Sequence, residues 1–185
     1  MWTDKAFEQW GDFYLLIGTA GATLVALLFV AVSLGTRFLT EERSSSRMTQ
    51  AFFSPVVIHF AAVLAISATA LISAQRAVFY AVLIAICAVT GAMVSAYTAI
   101  QLLRNRWTNY LQDHFGYGLL PLACYFVLLL AAWMIFTQHA AARDVLAISL
   151  LALLVINIRN AWDLILAIVR RQTDRERQTR KNENN

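Results

Sequence analysis

Four polar residues sit where a membrane helix has least use for them. Asn157, Arg159, Asn160 and Asp163 fall inside a long apolar segment towards the C-terminal end of the chain. A charge at the centre of a spanning helix costs on the order of 3 kcal/mol, so each needs a partner or water. At 100° per residue, Arg159, Asn160 and Asp163 share an arc of about 100°, with Asn157 at its edge. Ser149, Ala152 and Ala167 continue the stripe, which marks it as a face packed on other helices. Arg159 and Asp163 are also spaced i, i+4 and can neutralise each other within the helix. Such a self-contained pair orients a helix without doing chemistry, and Arg159 is long enough to reach for the headgroups.

A working site needs a second wall, and the second apolar segment offers His59. Its depth from that segment's end is about 12 Å, close to the roughly 15 Å of Arg159. Gln101, Thr98 and Tyr125 fall in the same half. His59, Asn157, Arg159, Asn160 and Asp163 therefore form a candidate polar intramembrane site, suited to a proton or an anion. The plainer alternative is a histidine hydrogen-bonded to a neighbouring helix's backbone or hydroxyl. No Gly-rich phosphate loop, HExxH pair or paired-cysteine metal motif occurs, and His59, His114 and His139 are too scattered to share a ligand. Neither catalysis, a cofactor nor a metal is expected.

The elements that must position these residues follow from composition. The chain has 185 residues, of which 59% are hydrophobic and only 14% charged. Its mean hydropathy is +0.60. That is too few charges to cover a water-facing surface. Five stretches approach or exceed the roughly 20 apolar residues a span requires: about 13–35, 51–74, 77–103, 118–138 and 145–169. The expected fold is an all-α integral membrane bundle of five transmembrane helices. An interfacial segment, 1–12, precedes it, with Trp2, Ala6, Phe7 and Trp10 on one stripe. A basic tail, 170–185, follows. The first apolar stretch is too long, and its acidic flank wrong, for a cleaved signal peptide. The Ser44–Ser46 run reads as a short polar loop, and Pro55 and Pro121 as residues near span starts.

Lys and Arg are divided unevenly between the two sides. Lys5, Arg76 and Arg143 fall on one side. Arg37, Arg43, Arg47, Arg104, Arg106 and the arginines of the tail fall on the other. The positive-inside rule then puts the N-terminus outside and the C-terminus in the cytoplasm of a bacterial inner membrane. The net charge of +4 follows from this asymmetry. The tail has no aromatic residues to stack on bases, so nucleic acid is not an expected partner. Cys87 and Cys124, about 15 Å apart in depth on this reading, are expected to be unpaired packing residues.

The first segment has a small-residue face of Gly18, Gly21 and Ala22, with Gly18 and Ala22 at the spacing that lets helix backbones approach closely. The stretch from Gly18 to Leu34, GTAGATLVALLFVAVSL, resembles the first helix of small bacterial multi-span membrane proteins, some of them labelled modulators of the FtsH protease. The resemblance covers about a tenth of the chain and implies a regulatory partner protein in the same membrane. The function expected is that of a non-catalytic membrane interaction or regulatory subunit, assembling in the lipid bilayer with itself or with another membrane protein. The alternative is a small oligomeric ion or proton channel, or a transporter, using the His59–Asp163 region.

Overall fold

The computed structural model describes residues 10–36, 43–72, 77–104 and 118–183, and the first nine residues of the expected interfacial segment lie outside them. The described residues form five helices, with no strand among them. We label these α1 (Gly11–Thr36), α2 (Arg43–Ala70), α3 (Ala77–Arg104), α4 (Leu120–Phe136) and α5 (Ala142–Glu183). Helices suit this composition because they satisfy every backbone N–H and C=O within the segment, as an apolar surrounding demands. The scattered hydroxyls obey the same rule by bonding back onto their own helices. Thr23 donates to the Thr19 carbonyl at 2.8 Å, Thr90 to Ile86 at 2.8 Å and Thr98 to Val94 at 2.9 Å.

Three helices contain stretches long and apolar enough to cross a membrane: Gly11–Ala31, Ala77–Gln101 and Ala142–Leu166. The sequence reading expects five. The described apolar parts of α2 and α4, Pro55–Ala70 and Leu120–Phe136, are shorter. At 1.5 Å per residue, the 17 residues of α4 rise about 26 Å, against a hydrocarbon core of roughly 30 Å.

Two helix boundaries depart from expectation. The Ser44–Ser46 run is the first turn of α2 rather than a loop. Pro55 therefore lies inside that helix, where it has no N–H to donate to the carbonyl one turn back. At the other end, α5 does not stop at the membrane segment. It runs unbroken for 42 residues, about 63 Å, through the basic stretch expected as a tail.

Each helix packs on its neighbours in the chain, and α5 also returns to α1 and α2. This closes the five helices into a ring, with α2 drawn inward. Val56, His59, Phe60, Val63, Ile66 and Ser67 of α2 are all buried. Its exposed positions after Pro55 are small, Ala61, Ala65 and Ala68. The outward faces of α3, α4 and α5 carry large apolar residues instead, such as Ile86, Leu130, Trp133 and Val155. Near one end of the bundle, Tyr80 ties α3 to α2 by donating to the Ile66 carbonyl at 3.3 Å.

The small-residue face of α1 is used, though not with the expected spacing. A Cβ added to Gly18 would lie 3.1 Å from Ser67 Cβ, and one added to Gly21 would lie 3.6 Å from the Phe60 carbonyl oxygen. Both contacts are with α2, so α1 packs through Gly18 and Gly21 at i, i+3. Ala22, the third residue of that face, is exposed and makes no part of this contact with α2. Gly18→Leu is therefore expected to push α1 off α2 and destabilise the bundle by about 1–3 kcal/mol. Ala22→Leu should leave stability unchanged. Thermal unfolding of both variants in detergent measures the contrast, and equal melting temperatures would refute it.

Candidate functional site

His59 lies one turn beyond Pro55 on α2 and is only 1% exposed. Its Nδ1 sits 2.7 Å from the Tyr125 hydroxyl of α4, with the two ring centroids 5.3 Å apart. The bond crosses the ring of helices. It depends on α3, because a Cβ at Gly91 would fall inside the Tyr125 ring. Only a glycine leaves room there for the phenol to lie flat against the α3 backbone. Three helices thus meet at one hydrogen bond: Gly91 admits the ring, and the Tyr125 hydroxyl pairs with His59 Nδ1. His59 Nε2 is buried and has no hydrogen-bond partner.

The structure divides the polar cluster of α5. Asn157 and Asn160 are buried, at 0% and 1% exposure, on the side that packs with Leu146, Leu150, Leu153 and Leu164. Asn157 Nδ2 donates to the Leu153 carbonyl at 2.9 Å. Arg159 and Asp163 face outward instead, with 58% and 43% of their side-chain surface exposed. Arg159 Nε and Asp163 Oδ2 are 4.0 Å apart, a loose contact at the limit for an ion pair. These two residues therefore do not share an inward face with Asn160, and they do not line a pocket with His59. The hydrogen bond of His59 runs to α4, so the plainer expectation of a bond to a neighbouring hydroxyl describes its Nδ1.

Among the described residues, no three His, Cys, Asp or Glu side chains come together as a metal site requires. Cys87 and Cys124 are both free thiols. Tyr125 lies against Gly91, and a Cβ at Gly118 would meet Ala99, which fixes the antiparallel register of α3 and α4. In that register the two cysteines differ in depth by roughly 8 Å, about half the expected separation.

Sequence reasoning set Tyr125 beside the site without a role and passed over Gly91. A signal for both was present. Ala88, Gly91 and Ser95 form a small-residue stripe on the third segment as clear as the one on the first. A tyrosine in the middle of an apolar helix also calls for a hydroxyl partner.

Comparison with protein-family models, with curated proteins and with solved structures gave no match. The Gly91–Tyr125–His59 contact makes a prediction that separates shape from hydrogen bonding. Gly91→Ala should displace the ring and cost about 1–3 kcal/mol through overpacking. Tyr125→Phe removes only the hydroxyl, and interhelical hydrogen bonds in membranes average about 0.6 kcal/mol. Unfolding in mixed micelles should rank Gly91→Ala well below Tyr125→Phe in stability, and the reverse order would refute the arrangement.

Proposed function

We infer that this chain is a non-catalytic integral membrane protein that works by assembly, with itself or with another membrane protein. The observation carrying that reading is the outward position of Arg159 and Asp163. The apolar stretch of α5 ends at Leu166, so the pair stands between one and two turns inside it. Trp162 and Ile158 flank it and are exposed as well. A charged pair facing hydrocarbon is costly, and a second helix bringing polar or small groups against it relieves that cost. The function proposed is thus that of an interaction or regulatory subunit with the outer face of α5 as its contact surface.

The topology proposed with it has five spans. The short apolar parts of α2 and α4 are carried through the bilayer by packing inside the ring and by adjacent polar turns at the membrane surface. The arginine distribution supports an N-terminus outside and a C-terminus in the cytoplasm of a bacterial inner membrane. The resemblance of Gly18–Leu34 to proteins labelled as FtsH modulators makes a membrane-bound protease one partner to look for.

A second reading, an oligomeric proton or ion pathway, draws on buried His59 Nε2 and on Asn157 within the bundle. Purified protein in liposomes should then leak protons or ions, and Asn157→Leu should alter the leak. Absence of flux with several ions would dispose of this reading.

The assembly reading is tested by cross-linking. With Cys87 and Cys124 replaced by alanine, Ile158→Cys should give a disulfide-linked or maleimide-linked product in native membranes. Leu130→Cys on the outer face of α4 should not. Adding Arg159→Ala and Asp163→Ala should reduce the product several-fold, and mass spectrometry of the band identifies the partner. A monomeric Ile158→Cys protein, no more reactive than the Leu130→Cys control, would show that lipid covers this face and would overturn the proposal.

A further inference from the structure

Two buried polar atoms on packed helices have complementary needs. His59 Nε2 on α2 and Asn157 Oδ1 on α5 each lack a hydrogen-bond partner, and α2 packs directly on α5. The proton on His59 can be placed from its other contact. If Tyr125 donates its O–H to Nδ1, every group in that contact is used. The reverse arrangement would leave the phenol proton without an acceptor. The imidazole is therefore protonated at Nε2, a donor without an acceptor. Asn157 is in the opposite position. Its Nδ2 donates to the Leu153 carbonyl, which fixes the orientation of the amide and leaves Oδ1 an acceptor without a donor.

Two other buried atoms of the bundle have a simpler remedy. Ser67 Oγ and Ser95 Oγ also lack partners, but a serine hydroxyl can swing onto a carbonyl of its own helix, as Ser149 does onto Leu146. An imidazole N–H and a fixed amide oxygen cannot. In an apolar interior each unmet group costs several kcal/mol.

The residues that carry the two atoms lie within about one helical turn of each other in depth. Tyr125 is 11 residues back from the end of α4 at Phe136, and Asn157 is 15 residues on from the start of α5 at Ala142. Because a short turn joins those ends, Asn157 and the His59–Tyr125 bond differ in depth by about 6 Å, roughly one helical turn. One molecule that accepts from an imidazole N–H and donates to an amide oxygen can serve both, and water does so at the least volume.

We propose that a single buried water bridges His59 Nε2 and Asn157 Oδ1, completing a hydrogen-bonded chain Tyr125–His59–water–Asn157 across α4, α2 and α5. It is a held molecule rather than part of a water column, because the buried faces of the same two helices also carry apolar side chains such as Leu150, Leu153 and Phe60.

Solid-state NMR on ¹⁵N-labelled protein in lipid bilayers tests this directly. His114→Gln and His139→Gln leave His59 as the one imidazole in the chain. The expected result is a neutral ring protonated at Nε2, with a cross-peak between that proton and slowly exchanging water. Asn157→Leu should abolish the cross-peak while the Nδ1 signal stays that of a nitrogen accepting a hydrogen bond. Protonation at Nδ1, a wild-type cross-peak to a side chain in place of water, or no cross-peak would each overturn the proposal. So would survival of the peak in Asn157→Leu. The wild-type spectrum is decisive alone if that variant fails to fold.

Discussion

Tyr125 can reach His59 because residue 91 has no side chain, and the centre of the bundle is arranged around that fact. Remove the space at Gly91 and the phenol must leave α3, taking with it the hydrogen bond that joins α4 to α2. The α3–α4 register and the relative depth of the two cysteines follow from where that ring lies. A close contact between a backbone and an aromatic face is stiff, because neither side has a torsion that relieves it. The sites where α1 and α4 meet their neighbours use the same device at Gly18, Gly21 and Gly118. Large apolar residues fill both the core and the outward faces, and at these glycines almost nothing intervenes between helices.

Polar groups in this molecule fall into three kinds, distinguished by how their hydrogen-bonding needs are met. Threonine hydroxyls close onto the preceding turn and make no demand on tertiary structure. Tyr80, Tyr125 and His59 reach across to another helix and so help to specify which helices are neighbours. Arg159 and Asp163 do neither fully, since their mutual contact is long and both remain open to the surroundings. That incomplete satisfaction on an outward face points beyond the single chain, whereas a satisfied interior pair would not. It is also why the fifth helix carries the functional argument even though the tighter geometry lies elsewhere.

Much of the architecture could be read from the sequence, because hydropathy reports helices in an apolar setting and the order of segments reports their neighbours. The phase of α5 was legible in relative terms: Arg159, Asn160 and Asp163 do lie close around the helix. Its absolute direction was not. The seam between buried and exposed falls inside that arc, set by Leu146, Leu150, Leu153 and Leu164, so Asn160 turns inward and Arg159 outward. Depth matching placed His59 near Arg159 but could not say which of several helices it would face. The contact chosen was Tyr125, whose access depends on a glycine on a third helix. Spacing within one segment carries no information about such a three-body fit. The spacing of Gly18, Gly21 and Ala22 is ambiguous in the same way, since i, i+3 and i, i+4 both suit a packing face and only the partner helix decides which pair meets it.

The unbroken course of α5 gives the molecule a mechanical property that the separate description of a span and a tail conceals. Seventeen residues continue from Leu166 to Glu183 as the same helix, projecting about 25 Å beyond the apolar part. A helix of this kind acts as a stiff shaft rather than a tether. A tilt of about 10° in the packed part would swing its far end by roughly 4 Å, and a rotation about its axis would turn that end with it. Any movement of the packed part of α5 near Arg159 is therefore carried undiminished along the helix to Glu183.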